Sequence, residues 1–132
     1  MSDNAMKQHG AFSWNELLTT DVAGAKAFYG ELLGWTLQDD NSHGMEYTIV
    51  KAGETMIGGI MAIPAQAKGM PPAWGAYVTV DNVDALIPRV EKLGGKIVVP
   101  PMDIPNLGRF VVIQDPQGAV VSLINYTCLD KM

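Results

Sequence analysis

The chain predicts an α+β fold of two tandem βαβββ modules that form an open curved half-barrel. Three observations carry this. The stretch WNELLTTDVAGAKAFYGELLGW, Trp14 to Trp35, returns sixty positions later in WGAYVTVDNVDALIPRVEKLGGKI. There Thr19 and Thr79, Asp21 and Asp81, Ala25 and Ala85, Glu31 and Glu91, Leu33 and Leu93, and Gly34 and Gly94 align without a gap. Each copy passes from a strand pattern to a helix with end signals on both sides, and each half closes on a hairpin signal. A four-stranded sheet with one helix buries one face, so two such halves side by side curve around a cleft.

In the first half, Ala11 to Leu18 carry Phe12, Trp14 and Leu17 in loose alternation and suit a strand. Thr19, Thr20 and Asp21 offer side-chain acceptors to the free amides of a helix start. Val22, Ala25, Phe28, Tyr29, Leu32 and Leu33 then recur at helical spacing, with Phe28 and Tyr29 assigned to the core, and Gly34 ends the helix. Strands follow at Trp35 to Gln38, Glu46 to Lys51 and Thr55 to Ile63. Gly53 makes the last reversal.

PAQAKGMPP, residues 64–72, has no usable period and reads as a linker between module one, residues 11–63, and module two, residues 73–126. Ala73 to Val80 is the next strand, and Asp81 is the expected cap of a helix that stops at Gly94 and Gly95. Lys96 to Val99 is a strand expected to break at Pro100 and Pro101, with PMDIPNLG a loop. Arg109 to Gln114 and Ala119 to Asn125 form the closing hairpin around DPQG. The polar start, residues 1–10, is expected to be a flexible arm, and residues 11–132 a single domain.

At 132 residues the chain can bury a core without a metal or disulfide staple, and Cys128, the lone cysteine, is a bystander. No apolar run approaches the roughly 18 to 20 residues that span a bilayer, and the first residues contain no signal-peptide core. A cytoplasmic setting and no membrane partner are expected. The net charge of −5, with basic residues scattered singly, argues against nucleic acid. His9 and His43 fall in an arm and a loop, where imidazoles are ordinarily exposed. The eight methionines, with Met45, Met56, Met70 and Met102 near loops and strand ends, are read as gap-fillers or as a lid over the cleft.

The pattern DVAGAKAFYGELLGW at Asp21 to Trp35, with VDN at Val80 to Asn82, LGG at Leu93 to Gly95 and DPQG at Asp115 to Gly118, resembles the vicinal oxygen chelate superfamily of glyoxalases, bleomycin-resistance proteins and extradiol dioxygenases. The resemblance covers residues 11 to 125. It implies a cleft lined by the first and last strands of each module, commonly a divalent metal there, and commonly a homodimer. It also implies four ligand positions, which fall at Trp14, Gly59, Gly75 and Ser122. A tryptophan, two glycines and a hydroxyl do not make a site for a divalent ion, so no metal and no other cofactor is expected.

Strand alternation places Glu16 beside Trp14, Met61 beside Gly59, Tyr77 beside Gly75 and Ile124 beside Ser122. These eight residues are the candidate ligand-binding set, and the glycines are read as space for a ligand between aromatic and sulfur-bearing walls. The expected function is metal-independent binding of a small hydrophobic or cationic molecule. The alternative is a lyase, isomerase or dioxygenase-like enzyme in which Glu16 does acid and base work, with or without a divalent metal. Whether Glu16 faces the cleft is open at this stage.

Overall fold

The computed structural model describes residues 2–41, 46–104 and 107–127. The expectations for His43, Met45 and Cys128 lie outside these residues. The elements are α1 (Ser2–Lys7), β1 (Phe12–Thr19), α2 (Val22–Leu33), β2 (Thr36–Asp40), β3 (Tyr47–Ala52), β4 (Thr55–Ala62), β5 (Ala73–Thr79), α3 (Val83–Lys92), β6 (Lys96–Ile104), β7 (Gly108–Gln114) and β8 (Val120–Tyr126). This is βαβββ written twice, as expected, with α1 in front. The segment between β4 and β5 is not wholly irregular, because Ala65–Ala67 makes a turn of 3-10 helix. Among the described residues no helix is long and apolar enough to cross a membrane.

The chain divides into two compact units, Trp14–Gly75 on one side and Met1–Ser13 with Ala76–Met132 on the other. In the first, the strands lie in the order β2-β3-β4-β1, with β1 parallel to β4 and the other pairs antiparallel. Leu17, Val50 and Ile60 are buried on one face, and Val22, Ala25 and Tyr29 of α2 pack onto them. Phe28 does not join this core and is 59% exposed. One residue turns a helix by about 100°, so Phe28 is rotated off the seam that Val22, Ala25 and Tyr29 make. It meets Tyr29 edge-on, with ring centroids 5.0 Å apart.

In the second unit the order is β5-β8-β7-β6, with β5 parallel to β8. Val80, Val83, Val111 and Leu123 form its core under Leu86 and Ile87 of α3. Asn82, not Asp81, caps α3: its side chain accepts from the Ala85 amide, as the side chain of Asp21 accepts from that of Gly24. The Asn125 side chain accepts from Val83 N–H at 2.8 Å and satisfies a further free amide of the helix start.

The cap exposes a one-residue error in the ungapped repeat. The modules correspond as Asp21 to Asn82 and Leu17 to Val78, and the sixty-residue spacing returns at Gly34 and Gly94, both with positive φ. Hairpin chemistry behaves as expected: Gly53 and Gly118 take positive φ, and Asp115 accepts from the amides of Gln117 and Ala119.

Pro100 and Pro101 do not end β6, which runs through them to Ile104. The strand lies at the end of its order and pairs only with β7, so a missing N–H breaks no second ladder. The pairing accommodates the prolines with irregular register between Val99 and Met102.

Ahead of β1, the described residues include α1, Ser2–Lys7. Met6 of α1 is 3% exposed, the Thr79 hydroxyl donates to Ala5 O at 2.7 Å, Gly10 N–H donates to Thr79 O at 2.7 Å, and Thr79 N–H donates to Ala11 O at 2.8 Å. His9 Nδ1 accepts from Asp81 N–H at 2.9 Å.

Candidate functional site

In the first unit β1 and β4 pair with Glu16 opposite Gly59 and Leu18 opposite Met61. Leu17 and Ile60 point to the helix, so alternation turns Trp14, Glu16, Gly59 and Met61 to the face that α2 leaves open. β3 adds to that face. Ile49 stands opposite Gly59, which puts Tyr47, two residues earlier, on the same side, and Asp40 of β2 is opposite Tyr47.

Tyr47 organises this face. Trp14 Nε1–H donates to the Tyr47 hydroxyl at 2.8 Å, and that hydroxyl donates to Glu16 Oε1 at 2.9 Å. The phenol lies directly over Gly59, where any Cβ would collide with its Oη and ring carbons. The space at Gly59 is therefore taken by a protein side chain. Gly59 is required for a close approach, and what it admits is Tyr47.

The chain of bonds has one direction. Indole N–H is donor-only, a phenol has one proton to give, and an ionised carboxylate only accepts. Both donors are directed toward Glu16, which accepts the second of these bonds. Partial burial of all three groups raises the worth of each bond over its value in water.

The equivalent positions in the second unit have different chemistry. Tyr77 is opposite Ser122 and Thr79 opposite Ile124, while β7 places Val112 opposite Ser122 and Phe110 opposite Ile124. By topology Tyr77 stands where Glu16 stands, Ser122 where Gly59 stands and Phe110 where Tyr47 stands. Tyr77 and Phe110 meet as tilted rings with centroids 6.2 Å apart, and Tyr77 and Ile124 are buried. Module one thus bears a polar relay where module two bears an aromatic pair. Gly75 corresponds to Trp14, and a Cβ there would have ordinary room, with Glu16 O at 4.0 Å.

Of the eight residues expected at a site, Trp14, Glu16 and Gly59 come together around Tyr47. Met61 shares their face one pair farther along the strands. Tyr77, Ser122 and Ile124 lie together on β5 and β8 of the second unit. Tyr47 was not among the expected residues. A tyrosine opening a strand gives no signal of its own, and its place over Gly59 follows only from the β3–β4 register.

Among the described residues, no three or more His, Cys, Asp or Glu side chains are grouped as a metal site would require. Trp14, Gly59, Gly75 and Ser122, the positions at which the resemblance leads one to expect ligands, hold an indole, two glycines and a hydroxyl, a chemistry that does not fit a divalent ion.

Other polar groups brace the fold. Arg109 pairs with Asp84 of α3 at 2.8 Å and with Asp103 of β6 at 3.0 Å. Its hydrogen bond, ahead of its charge, holds the Asp84 carboxyl below the usual range, and Asp84 and Asp103 push Arg109 still higher. Lys26 and Thr48 likewise lower Asp39 by hydrogen bonding. Burial raises the Tyr126 phenol, against a smaller opposing effect of its 2.8 Å bond with Ser13.

Comparison with known proteins agrees with this architecture. Residues 11–123 match the family model described as the Glyoxalase/Bleomycin resistance protein/Dioxygenase superfamily. The chain is 38% identical over 120 residues to a Mycobacterium bovis protein named "Putative glyoxylase CFP32", covering 90% of this chain and 45% of that one. It is 33% identical over 129 residues to "Anthracycline biosynthesis protein DnrV" of Streptomyces peucetius, covering 86% of this chain and 46% of that one. The chain therefore spans less than half the length of these relatives. Methylmalonyl-CoA epimerase from Mycobacterium tuberculosis has a similar fold, with a TM-score of 0.62 at 16% identity over 89% of this chain and 88% of that one.

Proposed function

This chain belongs to the Glyoxalase/Bleomycin resistance protein/Dioxygenase superfamily, and we propose that it binds a small hydrophobic or cationic molecule on the open face of module one, without a divalent metal. The observation that carries the reading is the relay from Trp14 through Tyr47 to Glu16. It sets an aromatic surface beside a fixed carboxylate, the pairing that suits a flat molecule with a polar or positive group. Metal independence rests on the residues at the family's ligand positions, which lack imidazole and carboxylate. The proposal includes a homodimer and a cytoplasmic setting.

Flat aromatics are the natural first probes, since one relative is named for anthracycline biosynthesis. Dihydroxyanthraquinone titrated into EDTA-treated protein should bind, and Trp14→Phe should weaken it. Near-stoichiometric zinc, nickel, manganese or iron in protein purified without chelator would overturn the metal-free reading. Sedimentation would report the dimer.

A second reading is favoured by one contact. The Tyr47 bond fixes Glu16 Oε1, as a general acid or base must be fixed. In that case the chain is an enzyme of the lyase, isomerase or dioxygenase type. Glu16→Gln should then abolish turnover, and undiminished turnover would remove Glu16 from any mechanism.

A further inference from the structure

We propose that the open face of module two is a second, latent binding surface for flat, uncharged aromatic molecules, and that α1 is the plug that holds it shut. This goes beyond the module-one reading and does not depend on it.

The two modules serve as controls for one another. Val78, Val80, Val111 and Leu123 belong to the core under α3, so alternation turns Tyr77, Thr79, Phe110 and Ile124 to the opposite face. The registers match this face to that of module one: Glu16 pairs with Gly59 and Leu18 with Met61 there, Tyr77 with Ser122 and Thr79 with Ile124 here. Glu16, Leu18 and Met61 are all partly exposed. Their counterparts Tyr77, Thr79 and Ile124 are 7%, 4% and 2% exposed. The second face is covered where the first is open.

Among the described residues, α1 is the element that module one lacks. It lies against β8, and the Thr79 hydroxyl, on the open face, donates to Ala5 O at 2.7 Å. Met6 follows Ala5 and is buried, so a flexible apolar side chain is seated where a ligand would lie.

The attachment is light. α1 has six residues, too few to persist as a helix by itself, and of residues 5–11 only Met6 is buried. His9 Nδ1 accepts from Asp81 N–H at 2.9 Å and Gly10 N–H donates to Thr79 O at 2.7 Å. A segment held by one buried side chain and a few hydrogen bonds opens far more readily than a core strand. What its opening uncovers is apolar: Tyr77 and Phe110 meet as tilted rings, with Ile124 beside Phe110. On β5, β7 and β8 this face carries no charged residue, which sets the ligand class as neutral.

The test follows the arm and the face together in the full chain. Met6→Asp puts a carboxylate at the buried position, and α1 should leave the face sooner than bury it. Deuterium exchange over residues 5–11 should then rise. The neutral fluorophore N-phenyl-1-naphthylamine should bind this variant roughly tenfold more tightly than wild type, the least effect of no longer having to displace one buried apolar side chain. Phe110→Ala in the same background should abolish the gain, and Trp14→Phe should leave it.

Wild-type protein supplies the same test without a substitution: if fluorophore and arm compete, saturating fluorophore must raise exchange over residues 5–11. A released arm with no gain in fluorophore binding would overturn the proposal. So would unchanged exchange in Met6→Asp, or a gain that survives Phe110→Ala and vanishes with Trp14→Phe, which would place the fluorophore on module one. Failure of dihydroxyanthraquinone to bind would remove the module-one reading and leave this one standing.

Discussion

Tyr47 lies over Gly59, its phenol occupying the place a side chain at residue 59 would need. Gly59 is directly opposite Ile49, so Tyr47, two residues earlier on β3, reaches it diagonally across the β3–β4 ladder. This relationship turns a residue that reads as empty space into the support of a hydrogen-bond relay.

Gly59→Ala tests that support. The methyl group must expel the phenol, and both bonds of Tyr47 go with it. We expect a loss of about 1–3 kcal/mol in urea unfolding, as for overpacking elsewhere. With Tyr47→Ala already in place the same substitution should cost much less, and that non-additivity marks the contact. Equal costs in the two backgrounds would place the ring elsewhere.

The helix cap separates two neighbours. Asn82→Ala should lower stability by about 1 kcal/mol, whereas Asp81→Ala, which removes no cap, should change it by a few tenths. Thermal melts of the two variants decide the matter, and a larger effect at Asp81 would return the cap to the position that the ungapped repeat suggests.

The brace at Arg109 has a defined pH response. Asp84 is held below its ordinary value of 3.8 in the folded protein, chiefly by its hydrogen bond from Arg109. A carboxyl with a depressed folded value contributes stability above 3.8 and loses it as pH falls through the lowered value. Arg109→Gln should therefore lower the melting temperature at neutral pH. The gap between variant and wild type should close as Asp84 becomes protonated in both. A gap that widened on acidification would contradict the assignment.

Pro88 sits inside α3 and is exposed. It can give no N–H to the carbonyl one turn earlier. Pro88→Ala should raise stability by about 1–3 kcal/mol, the range spanned by a restored helical bond and alanine's better propensity. An unchanged or lower melting temperature would mean that the ring supplies packing of equal worth.

Much of the fold was legible because its signals are local. Asp21, Gly34, Gly53 and the DPQG turn act on their own backbone, and each works where the pattern places it. Misreadings arose where a local signal met a longer-range alternative. The ungapped repeat favoured Asp81 over Asn82, since an alignment counts identities and a cap obeys geometry. Phe28 has helical spacing but lies beyond the reach of the core, and a sheet-edge position lets β6 continue through Pro100 and Pro101.

The candidate site divides the same way. Trp14 and Glu16 share a face because strand alternation is fixed along one chain, and that much the sequence determined by itself. It also determined the family, since the motifs that carry it are statements about residue identity. Tyr47 was decided by tertiary structure. Its hydroxyl reaches Trp14 and Glu16, from which it is separated by 33 and 31 positions, through a strand register and a missing Cβ. Register depends on how two distant segments pair, and no single stretch of sequence encodes that pairing alone.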